Sequence, residues 1–385
     1  MLQKHLFLFA LYSVGIIMNK IFKIVLMLLI GGALGYLFGK YGLSSVPKDL
    51  PKIYLFGLII ALLPIYFFIV GFHEIGHALA GKMVGFDFRM FIIGPFFFEK
   101  ENDQWKFKWN KSLNLSGGMV VCLPTSEENL RKRFINYAAG GPLASILLSV
   151  VISTFWYFLP DNLSNHALKF FGIVLIISSF LSFLIFLITA IPFKAGTFYS
   201  DGGRIKRQMK NDETSEMEIL FLKIMSKTNA GLRYGEINQS DLERAYFLAD
   251  KHNDAFKVYL ISYLFQAAFD RNEIEIAEQY LIQYLDKITE IPEPFRGVAW
   301  LDASIFYGFA RKDISKAQEY WSKFKPSPFV PKAQIFMAEA ILDFLNGENE
   351  KAIELKLKTL QELPNLLDKG LAISIKERLE SMIIN

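Results

Sequence analysis

The stretch IYLFGLIIALLPIYFFIVGFHEIGHALA, residues 53–80, joins two signals that soluble proteins keep apart. Residues 53–72 are uncharged for 20 positions, and a bilayer core about 30 Å thick takes roughly 20 apolar helical residues. A membrane span is therefore predicted here. The run ends in His73, Glu74 and His77, an H-E-x-x-H pattern. Four residues are just over one helical turn, so both imidazoles project from one face and can share one Zn2+ at about 2.0–2.1 Å. Glu74 reaches a water in that position but is not placed as a third ligand. A zinc-activated water beside a carboxylate base is the apparatus for hydrolysing an amide. Gly71, Gly76, Ala78, Ala80 and Gly81 surround the motif and admit another helix at close range. The plainer reading, a hydrated His/Glu cluster at the headgroup boundary, explains the location but not the spacing.

The rest of the chain supports a membrane setting. Residues 134–160 are uncharged for 27 positions and 170–193 for 24, and 21–39 is interrupted only by Lys23. Spans are expected at about 21–39, 53–80, 134–160 and 168–193. Residues 6–19 form a fifth apolar stretch, too short to span untilted. It reads as an interfacial helix, as an extension ahead of Met18, or as a signal peptide without a clean small-residue cleavage site. Of 385 residues, 52% are apolar and 21% charged, with a mean hydropathy of +0.28; soluble domains sit nearer 45–50% and about 25%. A single soluble globular domain is excluded, and so is disorder. The lone Cys122 excludes an intrachain disulfide framework and a Cys-based zinc knuckle.

Charge divides the chain. Residues 1–212 hold 21 Lys+Arg against 11 Asp+Glu, a balance of +10; residues 213–385 hold 21 against 27, a balance of −6; together they give the +4 of the whole. The pI of 8.8 thus describes neither half, and no nucleic-acid partner is expected. Segment 81–133 carries nine basic residues, loop 161–166 none, and RIKRQMK (204–210) follows the last span. Positive-inside places 81–133 and everything after 204 in the cytoplasm. A multi-pass protein of the cell membrane is predicted, and the Phe/Ile/Lys-rich composition points to a bacterium.

A zinc site on one helix needs a third ligand from elsewhere. His5 and His166 lie at span edges and His252 in the acidic half, where ordinary surface or core roles suffice. Asp201 opens S-D-G-G-R (200–204) after a span broken by Pro192 and Gly196, and two glycines leave its carboxylate unobstructed. Alone this is a turn; beside H-E-x-x-H it reads as the ligand.

HEIGH (73–77), GGPLAS (140–145) and TAIPFKAGTFYSDGGR (189–204), in that order, resemble the site-2 protease family of intramembrane zinc metalloproteases. The resemblance covers about residues 50–210. It implies that His73, His77 and Asp201 bind one catalytic Zn2+, that Glu74 is the catalytic base and acid, and that the substrate is a transmembrane protein or peptide within the lipid bilayer. Three departures stand out: Thr189 where the family usually has Asn, nine positions from Pro192 to Asp201, and Ser200 where Leu usually precedes Asp-Gly.

Two further segments complete the reading. In 86–109, FDFRMFIIGPFFFEK and the alternating WKFKW flank a polar turn at 101–104, which predicts a β-hairpin at the membrane surface with Trp105 and Trp109 as anchors. Its edge offers a place for an extended substrate. SGGM (116–119) either approaches a substrate or is a plain turn. Residues 213–385 read as helical pairs in which Ala277, Ala317 and Ala352 align. They resemble tetratricopeptide-type repeats and predict either a surface for a cytoplasmic protein partner or a packed cap. The expected fold is mainly α: a polytopic membrane helix bundle of four to five spans with a small β-hairpin, residues 1–212, and a cytoplasmic α-helical repeat domain, residues 213–385. Two rival functions remain: a membrane-anchored zincin whose third ligand is Glu127 or Glu128, and a non-enzymatic scaffold that docks partners on its helices.

Overall fold

The computed structural model describes residues 32, 36, 40, 50–101, 104–110, 117–160, 165–195, 198–327 and 329–382. The apolar stretch 6–19 lies outside the described residues, as does 21–39 but for two positions. Three helices among the described residues are long and apolar enough to cross a membrane: α1 (Lys52–Met83), α2 (Leu130–Tyr157) and α3 (His166–Ala190). A short helix, α4 (Asp201–Lys210), follows α3. Nine more complete the chain: α5 (Glu213–Asn229), α6 (Gln239–Lys251), α7 (Phe256–Asp270), α8 (Ile274–Asp286), α9 (Arg296–Phe309), α10 (Ile314–Lys323), α11 (Lys332–Leu345), α12 (Asn349–Glu362) and α13 (Lys369–Ser381). The chain is mainly helical.

Contacts divide it into two units. The first comprises residues up to Ile69 together with Leu147–Leu184. Here α2 and α3 are joined by hydroxyls: Ser149 Oγ donates to the Ser179 carbonyl at 3.0 Å, and Ser153 and Ser179 share a 2.6 Å bond. Small polar residues of this kind let helices approach closely inside a bilayer. The opposite surfaces carry Ile59, Leu63, Val150 and Phe155, more than half exposed, as bilayer-facing residues are.

The second unit, Val70–Ile146 and Ile185–Asn385, contains a four-stranded antiparallel sheet of order β3-β2-β1-β4. Its strands are β1 (Asp87–Ile93), β2 (Phe96–Glu101), β3 (Gln104–Trp109) and β4 (Met119–Leu123). The expected hairpin is present as β2–β3, but the sheet is larger. The run FDFRMFIIGPFFFEK folds back on itself at Gly94-Pro95, where Gly94 has φ +51° and Ile93 pairs with Phe96. A long apolar run hides a two-residue turn from any reading of periodicity alone. One face buries Met90, Ile92 and Phe97, with Phe329 stacked on Phe97 at 5.5 Å. The other presents Phe96, Phe107, Trp105 and Trp109, 39–60% exposed, an aromatic face suited to a membrane–water boundary.

The helices after α6 form the pairs α7–α8, α9–α10 and α11–α12, packed on a shared core of Phe265, Leu281, Phe306 and Met337. Ala277, Ala317 and Ala352 are fully buried. Each lies five positions after a residue of positive φ, namely Asn272, Lys312 and Gly347, so the same left-handed turn recurs in every pair. Gln266, Asp302 and Gln334, on the first helix of successive pairs, form a buried ladder. Both amides donate to Asp302 Oδ1, at 2.9 and 3.2 Å.

Burial pushes the Asp302 carboxyl up to about 7 from an ordinary 3.8, with Arg378 and Gln266 pulling the other way. A carboxyl raised by folding stabilises the fold fully below its ordinary pKa and loses that contribution as pH rises through the folded value. Between about pH 5 and pH 8 the unfolding midpoint of the full chain in detergent should therefore fall further in the wild type than in Asp302→Asn, which keeps the Oδ1 acceptor. Equal falls in the two proteins would place the ionisation elsewhere.

Candidate active site

Helix α1 carries His73, Glu74 and His77 on one side, with both imidazoles buried. Ile75 and Leu79 occupy its outward side, 42% and 58% exposed. The helix that faces the histidines is α2, and glycines set its distance. A methyl group on Gly76 would collide with the Gly140 carbonyl, and one on Gly140 would collide with that of Gly76. A methyl on Gly141 would collide with His77 Nε2 and lie 2.6 Å from His73 Nε2.

This close approach gives each imidazole a partner. His73 Nδ1 lies 2.9 Å from Ser145 Oγ, and His77 Nδ1 lies 3.0 Å from the Tyr137 carbonyl. A carbonyl only accepts, so His77 carries its proton on Nδ1 and turns the Nε2 lone pair inward. The longer contact from the Gly141 N–H, 3.3 Å, is secondary to this.

Asp201 arrives from the far end of α3. The residues that lengthen the gap after Pro192 include a small ribbon, β5 (Lys194–Ala195) paired with β6 (Phe198–Tyr199). It returns the chain so that the Ser200 N–H donates to the Phe193 carbonyl at 3.1 Å. Ser200 then caps α4: its hydroxyl accepts from the Gly203 N–H and donates to the Ile191 carbonyl at 2.7 Å. A serine in place of leucine thus supplies an N-cap. Gly202 packs backbone to backbone on Ala190, where any side chain would collide with the Ala190 carbonyl. Thr189 bonds its own helix, to the Ile185 carbonyl at 2.9 Å.

The result is a triangle of donor atoms. His73 Nε2 and His77 Nε2 are 3.2 Å apart, and Asp201 Oδ2 is 3.3 and 3.4 Å from them. Among the described residues these three form the candidate metal-binding group. Ligands at about 2.0–2.1 Å from a tetrahedral Zn2+ stand roughly 3.3–3.4 Å from one another, so the donor set fits that ion. The inward lone pair of His77 and a carboxylate oxygen at this range repel unless a cation lies between them.

A cavity of about 280 Å3 opens beside the triangle. Glu74, Val120, Thr189, Tyr199 and Arg204 line it with the donors. Glu74 is held against the loop before β4: a side chain on Gly118 would meet Glu74 Oε1 at 2.8 Å, and Gly118 has φ +99°. The SGGM segment therefore approaches Glu74. Arg204 stands one helical turn beyond Asp201 and brings a guanidinium to the same cavity. Ser145, the Tyr137 carbonyl, Gly118 and Arg204 escaped the sequence reading as site residues. The small-residue pattern of GGPLAS, the Gly-Gly of SGGM and the Arg of SDGGR hinted at them.

The remaining sequence candidates lie elsewhere. Glu127 is exposed and paired with Lys223 and Lys227, at 3.5 and 3.1 Å, and Glu128 is exposed. His252 pairs with Glu213 at 2.8 Å, and His166 packs near Tyr54. His5 lies outside the described residues.

The sequence profile of Peptidase family M50 matches residues 58–372. No curated protein and no solved structure matches the chain. The match spans most of the sequence, and the chain belongs to peptidase family M50, the site-2 protease family of membrane metallopeptidases.

The glycine contacts make a direct prediction. Gly76→Ala and Gly140→Ala should lower the thermal stability of the detergent-purified protein by on the order of 1–3 kcal/mol, the usual range for overpacking. Gly172→Ala is the control, since its methyl would meet only Leu159 Cδ1 at 3.6 Å; its unfolding midpoint should match the wild type.

Proposed function

We propose that this member of peptidase family M50 is an intramembrane zinc metalloendopeptidase that cuts membrane-anchored proteins or peptides near the cytoplasmic face. The observation that carries the reading is the donor triangle of His73, His77 and Asp201 beside Glu74, set at the polar end of an apolar helix. Ionisable groups at such a depth are retained for a function. The orientation rests on the nine basic residues of 81–133, which also puts the helical pairs in the cytoplasm.

His73, His77 and Asp201 would hold the ion, which supplies a Lewis acid for the scissile carbonyl and for the attacking water. The chain's own groups perform the proton transfers. Glu74 accepts the proton of the attacking water and returns it to the leaving amine. The Tyr137 carbonyl fixes the His77 tautomer and Ser145 orients the His73 ring, as outer partners of metal-bound histidines do. Arg204 faces the same cavity with five fixed donors and is suited to hold substrate carbonyls on either side of the cut.

A helical substrate hides its carbonyls in its own hydrogen bonds and must be unwound before attack. The sheet offers the extended alternative. Strand β4 lies at the sheet's edge, and its Val120 lines the cavity. A substrate segment added beside β4 would be held straight by main-chain bonds with its next carbonyls at the donor triangle.

Three variants test the roles separately. Glu74→Gln should abolish cleavage while zinc measured on the purified protein stays near one per chain, and membrane fragments should accumulate in cells carrying it. Asp201→Ala should lose the zinc; full zinc and full activity there would transfer the third ligand to another residue. Ser145→Ala should weaken zinc affinity by roughly 10–100-fold without moving the ligands.

A further inference from the structure

Helix α4 has a second face. Asp201 and Arg204 point to the catalytic cavity, and Arg207 is buried, donating to the Thr214 carbonyl and paired with Asp254 at 3.0 Å. Gly202, Ile205, Lys206, Met209 and Lys210 follow helical spacing on the remaining side, where they wall a groove of about 550 Å3 against α2. The α2 wall is Ala139, Pro142 and Leu143, and Ala190 and Pro192 close the inner end. This lining is apolar apart from the two lysines, and no carboxylate belongs to it.

The groove has a polar end and an apolar end. The C-cap of α4, Asn211, bonds Arg131 in the first turn of α2, so α4 runs back along α2, and Lys206 and Lys210 lie toward the basic start of that helix. Stepping back from Leu143 and Ala139 by helical turns, the same side of α2 carries Asn136 and then Lys132, both exposed. Cations from two helices thus gather where the groove meets the membrane surface, about 10 Å along α2 from its apolar lining. Asp212, two residues after Lys210, accepts from Thr214 and Ser215 at the start of α5. Glu213 is paired with Lys251 and His252.

We propose that this groove binds one anionic phospholipid, its acyl chain along Leu143, Pro142 and Pro192 and its phosphate between Lys206, Lys210 and Lys132. The arrangement of charge above apolar wall is that of a lipid at its own depth, and zwitterionic lipids lack the net charge that the lysines select. The site is separate from the catalytic cavity and does not depend on the peptidase reading.

The test uses the full-length protein purified in mild detergent and titrated with phosphatidylglycerol or phosphatidylcholine, with bound lipid counted by native mass spectrometry. The wild type should retain phosphatidylglycerol in preference. Lys206→Gln with Lys210→Gln should reduce that preference by roughly tenfold to thirtyfold, the worth of two lysines at an anionic surface. Lys206→Arg with Lys210→Arg should keep it, which separates lost charge from lost fold. Equal retention of the two lipids by the wild type, or a preference unchanged in the glutamine variant, would overturn the proposal and leave the groove to an uncharged apolar segment.

Discussion

Everything in the site depends on two helix backbones touching. Gly76 and Gly140 meet carbonyl to carbon, without room for a methyl group on either side. That contact places Gly141 against both imidazoles, and from the same stretch of α2 come the hydroxyl of Ser145 and the carbonyl of Tyr137 that orient them. A larger residue at any of the three glycines would move α2 outward by more than a hydrogen bond tolerates. Inside a bilayer, where apolar surface gives helices little reason to prefer each other over lipid, such small-residue contacts are a main source of helix association. Here the contact also sets the placement of the two histidine donors.

The third donor is held by a different device. Asp201 begins α4, and its placement follows from Ser200, which caps the helix and ties it to Ile191 and Phe193, and from Gly202, which lets the helix start against Ala190. Farther along, Arg207 fixes the helix to α5 through Thr214 and Glu218 and to the α6–α7 loop through Asp254. A single ten-residue helix thus links a metal-ligand candidate to the helical pairs, in keeping with the candidate site residues and the C-terminal helices falling into one contact unit.

What was legible in the sequence had a period or a chemistry. His73, Glu74 and His77 stand at helical spacing on an uncharged run, and the spans after them are charge-free for more than 20 residues. Asp201 was legible as a carboxylate with glycines behind it, and the helical pairs through the recurrence of Ala277, Ala317 and Ala352. What stayed hidden depends on tertiary approach. The turn at Gly94-Pro95 sits inside an apolar run whose strands are both buried in part, so hydrophobicity does not change where the chain reverses. Ser145 looks like any small residue on a membrane helix until His73 is placed beside it. Gly118 reads as loop until its backbone meets Glu74, and Arg204 reads as one more basic residue in a topology signal.

Depth explains the polarity of the cavity. From Lys82 at the end of α1, His77 is five residues in and His73 nine, or about 8 and 14 Å along the helix. From Asn211 beside Arg131, Asp201 is ten residues in, or about 15 Å. Both helices run toward their basic ends, so the donors of each lie beneath those ends. Hydrolysis at that level needs water, which apolar walls would exclude. The walls here mix apolar residues, Val120, Ala138, Ile188 and Phe193, with Glu74, Thr189, Tyr199, Arg204 and the donors, and the polar members give water its partners. The same groups would be intolerable on the lipid side, where α1 presents Ile75 and Leu79 instead. One turn of α1 separates the polar donors from its apolar outward side, and side chains facing inward from three elements keep the two apart.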